Sequence, residues 1–446
     1  MAEPEDASRR RRSGAHGSSG APNARTVALR ALRRVTESGA YSNLTLAAEL
    51  ERSRLDVRDR QLAADLLYGT LRRKLQLDRA IAEASARPLE AIDAEALAIL
   101  RLGVYQVLFS RVPAHAAVSE SVNLAAGHHR GFVNAVLRNI ARRSPDEPAG
   151  EDDESISGRT GLAEWAVAEL RRVLPPDEVA TAATALASRT DLSIRANACR
   201  VRADVLEERL SAEGFTTRRG PHHPDVLRVG SAAPSQLPGY HDGWFVVQDE
   251  ASVLVAAAVD ASPGERILDA CAGPGGKTTY LACCAGSAGL VVAGDAHPRR
   301  ARLVAQVAAR LATPARVLVQ DARHPAVRGP FDAVLVDAPC SGVGAARRRP
   351  ELLWRPRRED LARLARLQVS ILLGVADLVR PEGRLVYSVC TFPPAETDAA
   401  VRAFVAKRPD FEPLSVPGPD GPAPTHRLWP HRHDTDAMFY AGFRRS

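Results

Sequence analysis

From Glu265 to Val389 the chain alternates short apolar runs with helical stretches. The runs are ERILDAC, GLVVAGD, ARVLVQD, FDAVLVD and GRLVYSV, with a helix pattern between most of them. This alternation constrains the fold more than any other feature, because strands that follow helices in this way pair in parallel and bury both sheet faces. The expected product is a doubly wound, mostly parallel α/β sheet. Ligands of such sheets bind outside the carboxyl ends of the strands, so the ends of these runs are where chemistry should be sought.

The first run continues as ILDACAGPGGKTTYLA. Asp269 ends the strand, Gly273, Gly275 and Gly276 form a turn, and Lys277 opens a helix. Glycines let the backbone approach a ligand closely, and the helix start adds free N–H groups. GGKTT also resembles a phosphate-binding loop, which makes an NTPase a competitor. That pattern needs glycine at position 271, where this chain has Cys271. The next two runs favour a nucleoside ligand without a phosphate chain. VVAGD ends in Asp295, about twenty residues past the glycine turn, where a carboxylate can hold both ribose hydroxyls. VLVQD ends in Asp321, placed to accept from an adenine amino group. S-adenosylmethionine (SAM) is the common ligand of this description, although each Asp alone could cap the next helix or turn. Lysines occur only at Lys74, Lys277 and Lys407 in an arginine-rich chain, which favours a pocket role for Lys277, towards the SAM carboxylate or Asp337.

The fourth run ends in DAPCSG, Asp337 to Gly342, and the fifth passes straight into Cys390. One cysteine at a strand end is more often a small buried hydrophobe than a nucleophile. Two on the ligand edge, one preceded by Asp-Ala-Pro, suit methylation at carbon 5 of a pyrimidine. A thiolate adding to carbon 6 makes carbon 5 reactive, and a second polar group can assist the later elimination. Asp337 beside the ring's N3 edge would favour cytosine over uracil.

A chain of 446 residues is too long for one core. Residues 1–24 read as a basic disordered arm. Residues 25–144 repeat apolar positions at three- and four-residue spacing, which predicts one all-helical domain of five to seven helices. Asp56 and Asp93 are expected helix starts, as are Ser42 and Asn43; Gly69 and Gly131 are expected breaks. Residues 145–158 read as an acidic linker, 159–240 as a small α/β unit and 241–446 as the domain carrying the alternating runs. No run of eighteen apolar residues and no secretory h-region is present, so a cytoplasmic protein without a membrane span is expected. The net charge of +7 favours a polyanionic partner, nucleic acid above all. None of the six cysteines has zinc spacing; no metal is expected, and all six should be thiols, with Cys283 and Cys284 packed in a core.

DACAGPGGKTT, DAPCSGVG, YSVCT and GWFVVQDEAS together resemble the motif set of the RsmB/Nop group of RNA 5-methylcytosine transferases. The N-terminal VPAHAAVSESVNLA and RGFVNAVLRNIARR resemble the NusB-like helical RNA-binding domain carried by part of that group, and LSIRAN with the following helix and strand resembles its small RNA-contacting subdomain. The resemblance implies a C-terminal Rossmann-like class I SAM-dependent methyltransferase domain acting on one cytosine of 16S ribosomal RNA, as a monomer, on naked RNA or an early small-subunit particle. It also implies that Cys390 attacks the base and Cys340 assists product release. DNA cytosine methylases attack with a Pro-Cys thiol instead, so the reverse assignment stays open. Cys271, Ala272, Gly273, Pro274, Gly275, Gly276, Lys277, Asp295, Arg300, Asp321 and Asp337 are the implied cofactor contacts. Gln248, beside Asp249, is implied at the base pocket, and Arg347, Arg348 and Arg349 at RNA phosphates. Val389, Thr397, Ala437 and Met438 depart from the group's usual residues without removing a thiol or carboxylate. Two other readings are a cytosine-C5 methyltransferase for tRNA or another rRNA site, and a non-catalytic RNA-binding assembly factor.

Overall fold

The computed structural model describes residues 23–143, 148–230 and 232–446. The expected basic arm lies outside them except for its last two residues, as does the beginning of the expected linker.

The first described region contains the helices Ala24–Ser38, Ser42–Glu51, Val57–Arg72, Lys74–Ser85, Ala94–Phe109, Ala114–Leu124 and Gly127–Ala141. Leu67, Leu71, Ile81, Ile99, Leu102 and Leu137 meet in one core. Asp56 and Asp93 cap their helices, accepting from the N–H of Asp59 at 2.8 Å and of Glu95 at 2.9 Å. Gly69 and Gly131 do not break helices. At Gly69 the reason is packing, since a Cβ there would lie 2.0 Å from the Tyr105 ring. Nothing in the structure explains Gly131.

The stretch expected as a linker ends in a helix, Asp153–Thr160, capped by the Asp152 side chain. Its Ile156 packs with the helices Glu164–Arg171 and Pro176–Ala187 against Leu353, Phe392 and Trp429 of the C-terminal half. A four-stranded antiparallel sheet follows, built from β1 (Leu192–Ala196), β2 (Thr217–Arg219), β3 (Val226–Val229) and β4 (Phe245–Val247) in the order β2-β3-β1-β4. Ile194, Leu206, Leu227 and Phe245 give it a core of its own. Its last strand therefore lies beyond residue 240.

The large sheet contains the five expected strands: β5 (Arg266–Asp269), β6 (Leu290–Asp295), β7 (Arg316–Val319), β8 (Phe331–Asp337) and β9 (Val379–Val389). They pair in parallel in the order β7-β6-β5-β8-β9. Three C-terminal strands, β10 (Phe411–Pro413), β11 (Thr425–Leu428) and β12 (Met438–Arg445), then add antiparallel pairing beyond β9. Ile371, Leu372 and Val375 cover one face and Val255, Leu281 and Ala282 the other. Register sets Asp269 opposite Leu335 of β8, and Asp337 opposite Ser388 of β9, so the expected chemistry shares the carboxyl edge.

Buried polar contacts join the helical domain to the segment just after DAPCSG. Ser42 donates its N–H at 3.1 Å and its Oγ at 2.6 Å to the Glu351 carboxylate. Trp354 Nε1 donates to the Leu71 carbonyl at 2.9 Å, and Arg72 donates to the Arg347 carbonyl at 2.8 Å.

The expectation of six thiols is corrected. Cys199, in the loop after β1, is disulfide-bonded to Cys283 of the helix Gly276–Ala285, with Cα atoms 5.8 Å apart. The fold brings the small sheet against that helix, which a local reading of Cys283 among alanines could not reveal.

Candidate active site

A cavity of about 290 Å³ opens at the carboxyl edge of the large sheet. Of the expected site residues, Gln248, Cys271, Ala272, Gly273, Pro274, Gly276, Lys277 and Asp337 line it. Gly275 caps the helix behind it at φ 111°, a conformation that side chains rarely adopt. A Cβ on Gly273 would lie 2.6 Å from Asp295 Oδ2 and 2.7 Å from Arg300 Nε. Asp295 accepts from the Gly273 N–H at 3.1 Å and pairs with Arg300 at 3.3 Å, and Arg300 donates to the Gly273 carbonyl at 2.6 Å. The turn is thus held open by the two charged residues expected beside it. Asp321 is not among the lining residues. It is half-buried and held by Arg323 at 2.5 Å, a hydrogen bond that lowers its pKa to about 2.

Asp269 was read from sequence only as a strand end. Thr278 Oγ1 donates to its Oδ2 at 2.6 Å, while its Oδ1 is buried without a partner in the cavity wall. Burial raises its pKa to about 7. A cavity that presents an orphaned carboxylate oxygen and a side-chain-free turn fits a ligand combining a cationic group with a nucleoside, as SAM does.

At the other end, Lys277 Nζ donates to Asp337 Oδ2 and Ser388 Oγ to Oδ1, both at 2.8 Å. This pins the carboxylate at the tip of β8. The sulfurs of Cys340 and Cys390 lie 3.4 Å apart. A buried network holds their two loops together: Ser341 donates from its N–H at 2.9 Å and its Oγ at 2.5 Å to Glu396, and Ser341 Oγ lies 2.7 Å from Thr391 Oγ1. Gln368 adds a further bond to Glu396 at 2.9 Å. The two thiols are not equivalent. The hydrogen bond between them lowers the pKa of Cys390 and raises that of Cys340, and the cations Arg349 and Lys277 act on Cys390 in the same sense. Burial pushes the Cys271 thiol up, so it stays protonated in the wall.

The basic run divides. Arg347 is buried and donates to Asp434 at 3.0 Å. Arg348 is bound to Asp249 and donates to the Asp191 carbonyl at 3.1 Å. The expected phosphate contacts of these two are therefore corrected: both guanidinium groups are engaged by internal partners. Arg349 alone has no hydrogen-bonded side-chain partner among the described residues, and its guanidinium lies 5.9 Å from the Tyr41 ring centroid of the helical domain. Asp249 caps its helix through the Ala251 N–H at 2.9 Å as well as binding Arg348. Gln248 accepts from the buried Arg195 of β1 at 3.0 Å, and Arg195 reaches on to Thr279 at 3.0 Å. A charged residue inside the apolar LSIRAN strand was the available signal for Arg195. Glu396 and Gln368 had none, since only the fold brings them to Ser341.

The parallel sheet, the glycine turn and the cavity at its carboxyl edge define a Rossmann-like methyltransferase domain, here preceded by a NusB-type helical domain. Residues 256–444 match the family model of the 16S rRNA methyltransferase RsmB/F, and residues 22–142 match that of the NusB family. Ribosomal RNA small subunit methyltransferase B of Pseudomonas syringae is 33% identical over 417 residues, 92% of each chain. The enzyme of the same name from Klebsiella pneumoniae is 32% identical over 94% of this chain and 97% of its own. The crystal structure of PH0851 superposes with a TM-score of 0.82 at 26% identity, covering 94% of this chain and 98% of that one. The chain belongs to the RsmB/F family of rRNA methyltransferases. No helix among the described residues is long and apolar enough to cross a membrane.

Proposed function

We propose that this protein methylates carbon 5 of a cytosine in 16S ribosomal RNA, with Cys390 as nucleophile and Cys340 as the residue assisting release. The observation that carries the proposal is the pair of sulfurs 3.4 Å apart, on the same carboxyl edge of the sheet as Asp337, which itself lines the cavity with the glycine turn. SAM, held by the 271–277 turn, Asp295 and Asp269, supplies the methyl group when bound.

The Cys390 thiolate adds to carbon 6, which gives carbon 5 the electron density to take the methyl group. Loss of the carbon 5 proton to a solvent water then restores the double bond and expels Cys390 as thiolate. Cys340, kept protonated by its partner and by burial, assists release by donating its S–H to the departing Cys390 sulfur, 3.4 Å away. Asp337, fixed by Lys277 and Ser388, provides the carboxylate for the N3 edge of cytosine. Asp321 and Arg349 remain candidates for contact with the adenine and with RNA. The target base must leave its stack or come from a loop, and the helical domain and small sheet supply the affinity that selects it. The protein acts as a cytoplasmic monomer in this reading.

The test is methylation of unmodified 16S rRNA, mapped by bisulfite sequencing. One protected cytosine, absent with Cys390→Ser, is the expected result. Modification of tRNA in preference to 16S rRNA, or of a base other than cytosine, overturns it.

A further inference from the structure

Arg195 of β1 is only 1% exposed, yet no carboxylate among the described residues pairs with it. Its N–H groups meet neutral acceptors instead: Gln248 Oε1 at 3.0 Å, Thr279 Oγ1 at 3.0 Å and the Gly276 carbonyl at 3.3 Å. The guanidinium also stands 5.3 Å from the Tyr280 ring centroid. Burial lowers its pKa to about 10, so it remains a cation at neutral pH. A buried cation without a counter-ion is costly, and an anion bound close by reduces that cost. Gln248 connects this charge to the cofactor cavity, which it lines. A guanidinium can only donate, so the carboxamide must turn its oxygen to Arg195 and its nitrogen away. That nitrogen donates one N–H to Ser252 Oγ at 3.2 Å, and its other N–H has no partner among the described residues. The carboxamide lies on the start of the helix Gly276–Ala285, where a Cβ on Gly276 would stand 3.1 Å from Gln248 Cδ.

The cations that line the cavity themselves are engaged. Lys277 holds Asp337 at 2.8 Å, and Arg310 donates to the carbonyls of Tyr240 at 2.6 Å and Phe245 at 3.1 Å. Asp269 in the same wall offers its orphaned oxygen to a cationic group. SAM ends in an amino acid, so an ammonium brought to Asp269 carries a carboxylate on the same carbon. We infer that Arg195 is a positioning residue, which turns the free Gln248 N–H to that carboxylate and places a positive charge behind it. The small sheet thus takes part in holding the cofactor, and Gln248 serves the cofactor rather than the base. The inference rests on the SAM-dependent reading above and deepens it.

The test is calorimetric binding to the full chain of two nucleosides, S-adenosylhomocysteine and S-adenosyl-3-thiopropylamine, which differ only in the carboxylate. Gln248→Leu should weaken S-adenosylhomocysteine about tenfold, as for a lost hydrogen bond to a charged group, and leave the amine within about twofold. Arg195→Met should show the same selective loss, and the double variant should lose no more than the worse single one. Arg195→Lys, which keeps a donor and the charge, should retain part of the preference. In methylation, the KM for SAM should rise in Gln248→Leu while kcat and the KM for 16S rRNA stay as in the wild type. If Arg195→Met unfolds, Gln248→Glu decides: it gives Arg195 a counter-ion, so it should melt above the wild type while losing the preference for S-adenosylhomocysteine. Equal weakening of both nucleosides, or a preference that survives Gln248→Leu and disappears in Arg310→Met, overturns the inference and spares the cofactor reading. A rise in the KM for RNA alone returns Gln248 to the base and also overturns it. A wild type that binds neither nucleoside overturns the cofactor reading, and the inference with it.

Discussion

The contact between Ser42 and Glu351 couples the helical domain to the loop carrying Cys340, and its strength can be worked from the structure. Both residues have zero exposure, and the carboxylate accepts two hydrogen bonds from Ser42, the shorter at 2.6 Å from Oγ. A hydrogen bond to a charged group contributes about 1.5–3 kcal/mol, and a buried carboxylate that loses one cannot turn to water. Ser42→Ala removes the Oγ bond and spares the backbone one at 3.1 Å, so a loss of about 2 kcal/mol is expected. Hydrogen exchange reads this locally. Amides of Ser42–Glu51 that exchange by local opening should exchange about 30-fold faster, while those of the large sheet stay unchanged. Glu351→Ala should cost more, about 3–5 kcal/mol, because it strands both donors. In the double variant the two losses should fall short of their sum by about 2 kcal/mol. Methylation should fall with them, because Glu351 lies in the short helical turn Pro350–Leu353, which follows the DAPCSG loop after the turn Val343–Ala345. Exchange within about twofold of wild type in Ser42→Ala, or strictly additive losses in the double variant, would refute the coupling.

Other expectations follow from the same geometry. Cys340→Ala removes the hydrogen bond that lowers the Cys390 pKa, so alkylation of Cys390 should shift to higher pH; Arg349→Gln should shift it in the same direction, and an unchanged alkylation profile in both counts against the assigned thiolate. Asp269 has a folded pKa of about 7 against an ordinary 3.8, so the folded state holds its proton longer. The stabilisation this gives is complete below the unfolded pKa and disappears as pH rises through about 7. Melting temperatures of the wild type without cofactor should therefore decline relative to Asp269→Asn over that window, and parallel curves would contradict the burial argument. Alkylation of denatured protein should label four cysteines without reductant and all six after reduction, if Cys199 and Cys283 are paired. Six labels without reductant would show them as thiols.

The parallel strands were legible because each is a short apolar run ending in Asp or Cys, and only a sheet with covered faces buries such runs. β10, β11 and β12 were not, since their pairing is decided by the free edge of β9 rather than by a pattern of their own. Gly69 looked like a helix break and instead admits the Tyr105 ring, a contact between two helices that no local window contains. Asp337, Cys340 and Cys390 could be placed on the carboxyl edge from sequence because they end or follow the runs of β8 and β9, and Lys277 because it opens the helix after the glycine turn. The supports behind that edge, Glu396, Gln368 and Arg195, are polar residues whose partners are distant in sequence. Arg347 and Arg348 misled for the complementary reason: a run of arginines looks like surface until Asp434 and Asp249 are brought against it.

The central claim is that Cys390 bonds the base and Cys340 releases it. Incubation of Cys340→Ala and Cys390→Ala with SAM and unmodified 16S rRNA, followed by denaturing electrophoresis, tests it most directly. A covalent protein–RNA band with Cys340→Ala, and none with Cys390→Ala, is the predicted result. A band only with Cys390→Ala would reverse the two roles. No band from either variant, together with no 5-methylcytosine from the wild type, would contradict the reaction itself.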